Sequence, residues 1–229
     1  MRIQKYLSMQ GILSRRKAEE YLKNGWISVN GKVVTELGYQ FDPQKDVLEL
    51  ADEIKKIKEE YIYLAYYKPR GILTNCAQNG EKEIRDVLPA KYRQLHSIGR
   101  LDKESEGLIL LTNDGIFAKA ILNAERPHTR IYEVWINKEL TEDMREILEQ
   151  GVYILGIKTK KTKIEVLGKK HFHITLREGK NRQIRRMVRN VEGVVLQLKR
   201  VQFGNIKVEP LRIGDYRLLT KKEITYFLE

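Results

Sequence analysis

The run Gly107-Leu108-Ile109-Leu110-Leu111-Thr112 is too apolar for a surface and too short for an ordinary helix, and Asn113-Asp114-Gly115 stops it with residues that accept left-handed backbone. It has the length and content of a strand covered on both faces. Directly ahead of it, Gly99-Arg100-Leu101-Asp102-Lys103-Glu104-Ser105-Glu106 forms a polar turn that fixes Asp102 at the mouth of a rigid element. Arg100 lies two residues from that carboxylate, close enough to bias its ionisation or to touch the same polyanionic ligand.

The chain around this strand divides near residue 58, giving expected domains of 1–58 and 59–229. In the first, Met1 to Gly11 and Ser14 to Gly25 read as short helices, with Ser14 as N-cap and Gly25 as stop. Ile27 to Val29 and Lys32 to Val34 flank Asn30-Gly31, the strongest short signal for a two-residue hairpin turn, and Asp46 to Leu50 alternates like another strand. Ala51 to Glu60, dense in charge and without a core pattern, reads as a linker. From Tyr61 the chain is rich in strands, expected at Ile62 to Tyr67, Ile72 to Asn75, Arg130 to Asn137, Thr162 to Leu167, His171 to Arg177, Val194 to Lys199 and Val201 to Val208. Helices are expected at Ile116 to Asn123, Thr141 to Gln150, Arg182 to Val191 and Lys221 to Leu228. Many strands with few scattered helices imply an α+β domain on a mixed or antiparallel sheet, not a doubly wound one.

Charge indicates the partner. Lys and Arg number 43 against 31 Asp and Glu, a formal +12, which favours nucleic acid before a membrane surface. The surplus is local: residues 1–34 hold seven cations and two acids, whereas residues 35–60 hold four cations and eight acids. Arg2, Lys5, Arg15, Arg16, Lys17 and Lys23 are thus expected to project from the first helices toward phosphates. A second basic segment, Arg177 to Arg200, carries eight cations against two acids. There Asn181 can cap a helix with Arg182, Arg185, Arg186 and Arg189 on one broad face and Ile184, Met187, Val188 and Val191 on the other. So much like charge calls for phosphates or a buried carboxylate.

The seventeen residues from Gly99 to Gly115 resemble the signature of the pseudouridine synthases that modify ribosomal RNA, in the branch of the small-subunit enzyme and its large-subunit relatives. That resemblance implies a catalytic role for Asp102. It also implies that Arg185, from the Gln183-Ile184-Arg185 segment, pairs with Asp102, that Tyr132 in Arg130-Ile-Tyr-Glu-Val stacks on the target base, and that Leu198 forms an apolar wall. Arg100, Arg182, Gln183, Arg186 and Arg189 become candidate contacts to substrate RNA. The pattern Ser14-Arg15-Arg16, Ala18, Leu22, Gly25, Ile27, Val29-Asn30-Gly31 resembles the alpha-L RNA-binding module named after a small-subunit ribosomal protein. The fold implied is a small alpha-L RNA-binding domain followed by a larger pseudouridine synthase domain with helices flanking its sheet.

These residue types suit the reaction, which moves ribose from nitrogen 1 to carbon 5 of uracil without redox change and so asks for no cofactor and no metal. A carboxylate suffices, as nucleophile on sugar or base or as the base that takes a sugar proton. Arg100 can fill the stack once the uridine has swung out. The absence of a Gly-x-Gly-x-x-Gly or Gly-Lys-Ser/Thr loop disfavours a methyltransferase or nucleotide-dependent enzyme. Four histidines, His96, His128, His171 and His173, lack metal-ligand spacing, and His171 and His173 fit one strand face. One cysteine, Cys76, excludes an internal disulfide and reads as a small buried hydrophobe. With neither a signal segment nor a membrane span, a cytoplasmic monomer acting on ribosomal RNA or a pre-ribosomal particle is expected, the large-subunit RNA slightly favoured over the small. The competing reading is a catalytically silent ribosomal RNA-binding or assembly factor, against which the intact Gly-Arg-Leu-Asp string argues.

Overall fold

Local sequence signals decide the first unit. In a computed structural model that describes residues 1–52, 54, 60–78, 80–123, 125 and 127–228, Met1–Tyr61 and Asp114–Ala120 form one compact unit, and Ile62–Asn113 with Ile121–Glu229 the other. Helix α1 spans Ile3–Met9 and α2 spans Arg15–Lys23. Ser14 Oγ accepts from Lys17 N at 3.3 Å, satisfying one of the donors a helix start leaves open. Strands β1 (Ile27–Val29) and β2 (Lys32–Val33) join through Asn30 and Gly31 at φ 52° and 73°, the left-handed pair of a type I′ turn. Strand β3 (Leu48–Leu50) pairs with β1 on its other side. Ile3, Leu7, Ala18, Leu22 and Ile27 are essentially inaccessible at the centre of this unit, and Ile54 packs against them, so the charge-dense segment begins with a core contact. The boundary expected between residues 58 and 59 lies outside the described residues.

The second unit is built on one mixed sheet of nine strands, with the main order β10-β11-β7-β12-β6-β4-β14. In chain order these are β4 (Tyr63–Lys68), β5 (His96–Ile98), β6 (Glu106–Thr112), β7 (Arg130–Ile136), β10 (Lys163–Gly168), β11 (His171–Leu176), β12 (Val195–Phe203), β13 (Ile206–Lys207) and β14 (Tyr216–Leu218). A separate small hairpin pairs β8 (Tyr153–Ile154) with β9 (Ile157–Lys158). The remaining helices are α3 (Ile84–Val87), α4 (Gly115–Leu122), most of which belongs to the first unit, α5 (Glu142–Gln150), α6 (Gln183–Asn190) and α7 (Lys221–Leu228), with a short 3-10 turn at Ala90–Tyr92. None of the described helices is long and apolar enough to cross a membrane.

Every residue of β6 is buried, as its composition demanded. This strand pairs antiparallel with β4 and parallel with β12, so it lies inside the sheet. The parallel join is tight: a Cβ on Gly107, whose φ is 103°, would sit 2.4 Å from the Arg200 carbonyl oxygen. Only glycine permits that approach.

Several expectations are corrected. Ile72 to Asn75 forms no strand and offers a single bridge, Leu73 to Glu83. The two strands expected over Val194 to Val208 are one bulged strand, β12, followed by a hairpin to β13, because a bulge absorbs the irregular alternation without breaking the ladder. Cys76 is exposed, at φ 61° in a loop that offers no core to enter. Strands β5, β8, β9 and β14 were not expected, being only two or three residues long and lacking a periodic signal.

Candidate active site

Asp102 sits in a turn closed by Ser105 N donating to Asp102 O at 3.0 Å, and four residues, from β4, the loop after it and α6, hold that turn by its backbone. Thr74 Oγ1 donates to Leu101 O at 2.7 Å and accepts from Leu101 N at 3.0 Å. Gly71 N donates to Lys103 O at 2.8 Å. Lys68, at the end of β4, is fully buried and donates from Nζ to Ser105 O at 2.8 Å and to Pro69 O at 2.9 Å. From α6, Arg185 Nη2 donates to Glu104 O at 3.0 Å and to Ser105 Oγ at 3.3 Å, while its Nη1 reaches Val195 O at 3.4 Å. A carboxylate whose supporting backbone is tied down on all sides is presented at low reorganisation cost.

The carboxylate borders a cavity of about 120 Å³ lined by Arg100, Asp102, Tyr132, Leu176, Lys180, Arg182, Gln183, Ile184 and Leu198, among others. Tyr132 comes from the middle of β7, half-buried and packed against the hydrophobic clusters on both sides of it. Leu198 comes from β12 and is buried. Leu176, Leu198 and Ile184 supply apolar wall, and Asp102, Arg100, Arg182 and Lys180 supply charge at the rim.

The arginine nearest Asp102 is not the one expected. Arg182 Nη1 lies 3.7 Å from Asp102 Oδ2, and the guanidinium of Arg185 makes no ion pair with that carboxylate. The reason is helix geometry. Arg182 occupies the N-cap of α6 in the left-handed conformation, φ 50°, which swings it out of the helical face that the sequence suggested it shares with Arg185. Asn181 is therefore not the N-cap; its carbonyl and side-chain oxygens accept from Arg186 Nε at 3.1 Å and Nη2 at 3.2 Å. Burial holds the Arg185 guanidinium below its ordinary range, with Arg182 adding to the depression and the negative charges of Asp102 and Glu104 opposing it.

Gln183 lines the same cavity and is buried; its Oε1 accepts from Lys180 N at 3.0 Å, and its Nε2 donates to Glu178 Oε1 at 2.9 Å, so its amide braces the rim loop. Arg100, Arg182 and Arg189 are exposed, and Arg186 is half-buried through its bonds to Asn181. In the first unit Arg2, Lys5, Arg15 and Arg16 are exposed, while Lys17 Nζ pairs with Glu20 at 3.1 Å and lies over the Tyr21 ring.

Sequence reasoning missed Lys68 and Thr74. Burial brings the Lys68 ammonium down to about 8, and the surrounding charges of Asp102, Glu106 and Glu104 limit the fall. A lysine closing an apolar strand just before Pro69 was the available signal. Thr74 offered none, since its role arises from a loop crossing.

Comparison with known proteins places these features in context. Residues 62–190 match the family described as RNA pseudouridylate synthase, and residues 1–47 match the S4 domain. The chain is 36% identical over 230 residues to the ribosomal large subunit pseudouridine synthase B of Bacillus subtilis, covering 97% of this chain and 93% of that protein. It is 37% identical over 226 residues to the dual-specificity RNA pseudouridine synthase RluF of Escherichia coli K12, covering 98% and 77% respectively. A solved structure titled as a pseudouridylate synthase superposes with a TM-score of 0.74 at 27% identity, over 99% of both chains.

Proposed function

The chain belongs to the RNA pseudouridylate synthase family, and from that premise we propose that it converts uridine in large-subunit ribosomal RNA, with Asp102 as the reacting carboxylate. The observation that carries the residue assignment is the turn at Asp102, clamped through its backbone beside a small cavity whose walls are Tyr132, Leu176, Ile184 and Leu198. The choice of RNA rests on the Bacillus subtilis relative, whose name specifies the large subunit and which matches over nearly the full length of both chains. The silent-factor reading has no comparable support.

In the reaction the bond from ribose carbon 1′ to nitrogen 1 breaks, the uracil turns, and carbon 5 bonds to carbon 1′. Nitrogen 1 gains a proton and carbon 5 loses one. Asp102 meets the flipped nucleotide at the cavity wall, where a carboxylate can attack sugar or base or accept a sugar proton. The Tyr132 ring offers the detached base a flat surface, and Leu198 with Ile184 keeps water from it while it turns. Arg182 supplies the counter-charge, and Arg185 acts as a positioning residue through Glu104 and Ser105. Arg100 fills the vacated stack, and Arg186 and Arg189 with Arg2, Lys5, Arg15 and Arg16 hold phosphates. The form we propose is a monomer working where ribosomal RNA resides, in the cytoplasm.

Tritium release from carbon-5-labelled uridine in a large-subunit transcript tests this reading. Release by the wild-type chain is expected; release from small-subunit transcript alone would move the substrate, and none from either would remove the assignment.

A further inference from the structure

Two hairpins in this chain share one turn geometry and differ in one residue. At Asn30-Gly31 the φ values are 52° and 73°; at Leu155-Gly156, between β8 and β9, they are 51° and 77°. Asparagine is suited to the left-handed first position, whereas a bulky leucine there is a steric outlier. No packing of Leu155 compensates for this, because it is 64% exposed, and its neighbours Tyr153 and Ile157 are 68% and 61% exposed. The hairpin is anchored all the same: Ile154 is buried in the core of the sheet, and Tyr153 O accepts from Asn190 Nδ2 of α6 at 3.5 Å. Three large apolar side chains thus stand in solvent on a firm base, with strain kept at the tip. Strain that the fold itself does not use points to a surface that meets something else.

The surroundings identify the partner's chemistry. Residues 151–163 contain Lys158, Lys160, Lys161 and Lys163, all exposed, and no acid. The hairpin is tied to the cavity rim, since Lys180 Nζ donates to Lys158 O and Lys160 N donates to Glu178 Oε1, each at 2.9 Å. Glu178 and Lys180 both line the cavity beside Asp102. An apolar tip among cations suits a polyanion with stacking faces, namely RNA whose bases are unstacked. We propose that Tyr153, Leu155 and Ile157 form a wedge that inserts against bases flanking the target uridine, using the lysines to hold the adjoining phosphates. The location of the target beside this hairpin rests on the function proposed above; contact with RNA bases does not.

The test uses the full chain and large-subunit ribosomal RNA transcript, with Leu155→Asn as the principal variant. Asparagine favours the turn, so this variant melts at or above the wild-type temperature, while its affinity for the transcript falls about tenfold. Its salt slope is unchanged, because no phosphate contact has been lost. Tyr153→Ala, at an exposed position, weakens binding in the same manner. Wild-type affinity in both variants overturns the proposal. So does a wild-type chain that dimerises in sedimentation and becomes monomeric with Leu155→Asn, since the hairpin would then serve a second copy. Tritium release by wild-type protein is read on the same transcript. A weakened Leu155→Asn complex alongside an inert wild type would refute the proposed substrate and retain the wedge.

Discussion

Arg15 and Arg16 stand exposed on α2, and neither makes a side-chain hydrogen bond or ion pair among the described residues; in the second unit, equally basic side chains are turned onto the protein's own backbone. Lys68 gives its ammonium to Pro69 and Ser105, Arg185 to Glu104 and Val195, and the buried Arg200 donates from Nε to Leu108 O at 2.6 Å. The comparison shows that a net charge of +12 has two uses in one chain. Cations left in water are available to phosphates, and cations drawn inward hold carbonyls in place, those of Glu104 and Ser105 in the Asp102 turn among them. A charge count on the sequence cannot tell the two apart.

The largest expected effect comes from the carboxylate that the inward cations surround. Asp102→Asn should lower single-turnover pseudouridine formation by about 10³-fold or more while leaving RNA affinity within a few fold. A collapse of affinity instead would make Asp102 part of the scaffold and erase the division between holding and reacting.

Next comes Arg185, an inward cation whose partners are backbone. Arg185→Met should cost about 10²-fold in turnover with binding retained, and Arg185→Lys less, because an ammonium can still meet one carbonyl but cannot span two. Arg182→Ala removes the ion pair to Asp102 without touching the backbone clamp, and should cost less than Arg185→Met. The reverse order would mean that charge beside Asp102 matters more than the position of its turn.

Lys68 gives the comparison a pH signature. Its folded value, about 8, lies below the ordinary 10.5, so below pH 8 both folded and unfolded chains carry the proton and the native state bears the full burial cost. Between 8 and 10.5 the unfolded chain holds more protons, and stability rises with pH. Relative to Lys68→Met, wild-type unfolding free energy should therefore increase by about 2 kcal/mol from pH 8 to 10, read from urea midpoints. Tyr66, raised to about 12 by burial, acts in the opposite direction as the unfolded phenol ionises near pH 10, and both proteins in the comparison carry it. A flat difference between the two proteins would show that Lys68 stays charged and inward without penalty.

The smallest effects belong to the outward cations. Arg15→Ala and Arg16→Ala should each weaken RNA binding a few fold and lower the slope of log affinity against log salt by about one, with turnover at saturating enzyme unchanged. An unaltered slope would show that α2 does not touch phosphates.

By itself the sequence determined the parts whose physics is local. The apolar run of β6 had to be a buried strand, Asn30-Gly31 had to turn a hairpin, Ser14 was placed to cap α2, and Asp102 was fixed ahead of a rigid element. Patterns that span a few residues suffice for such features. Tertiary structure alone decided which groups meet across the chain. It placed Thr74 on both sides of Leu101, buried Lys68 beneath the turn, and set Arg182 rather than Arg185 beside Asp102 through one left-handed residue at the start of α6. Those outcomes depend on close approach between segments 27 to 80 residues apart, and on whether a donor finds water or a carbonyl when it arrives. No local pattern records that, because the energy of a buried polar group is set by the partner it meets after folding.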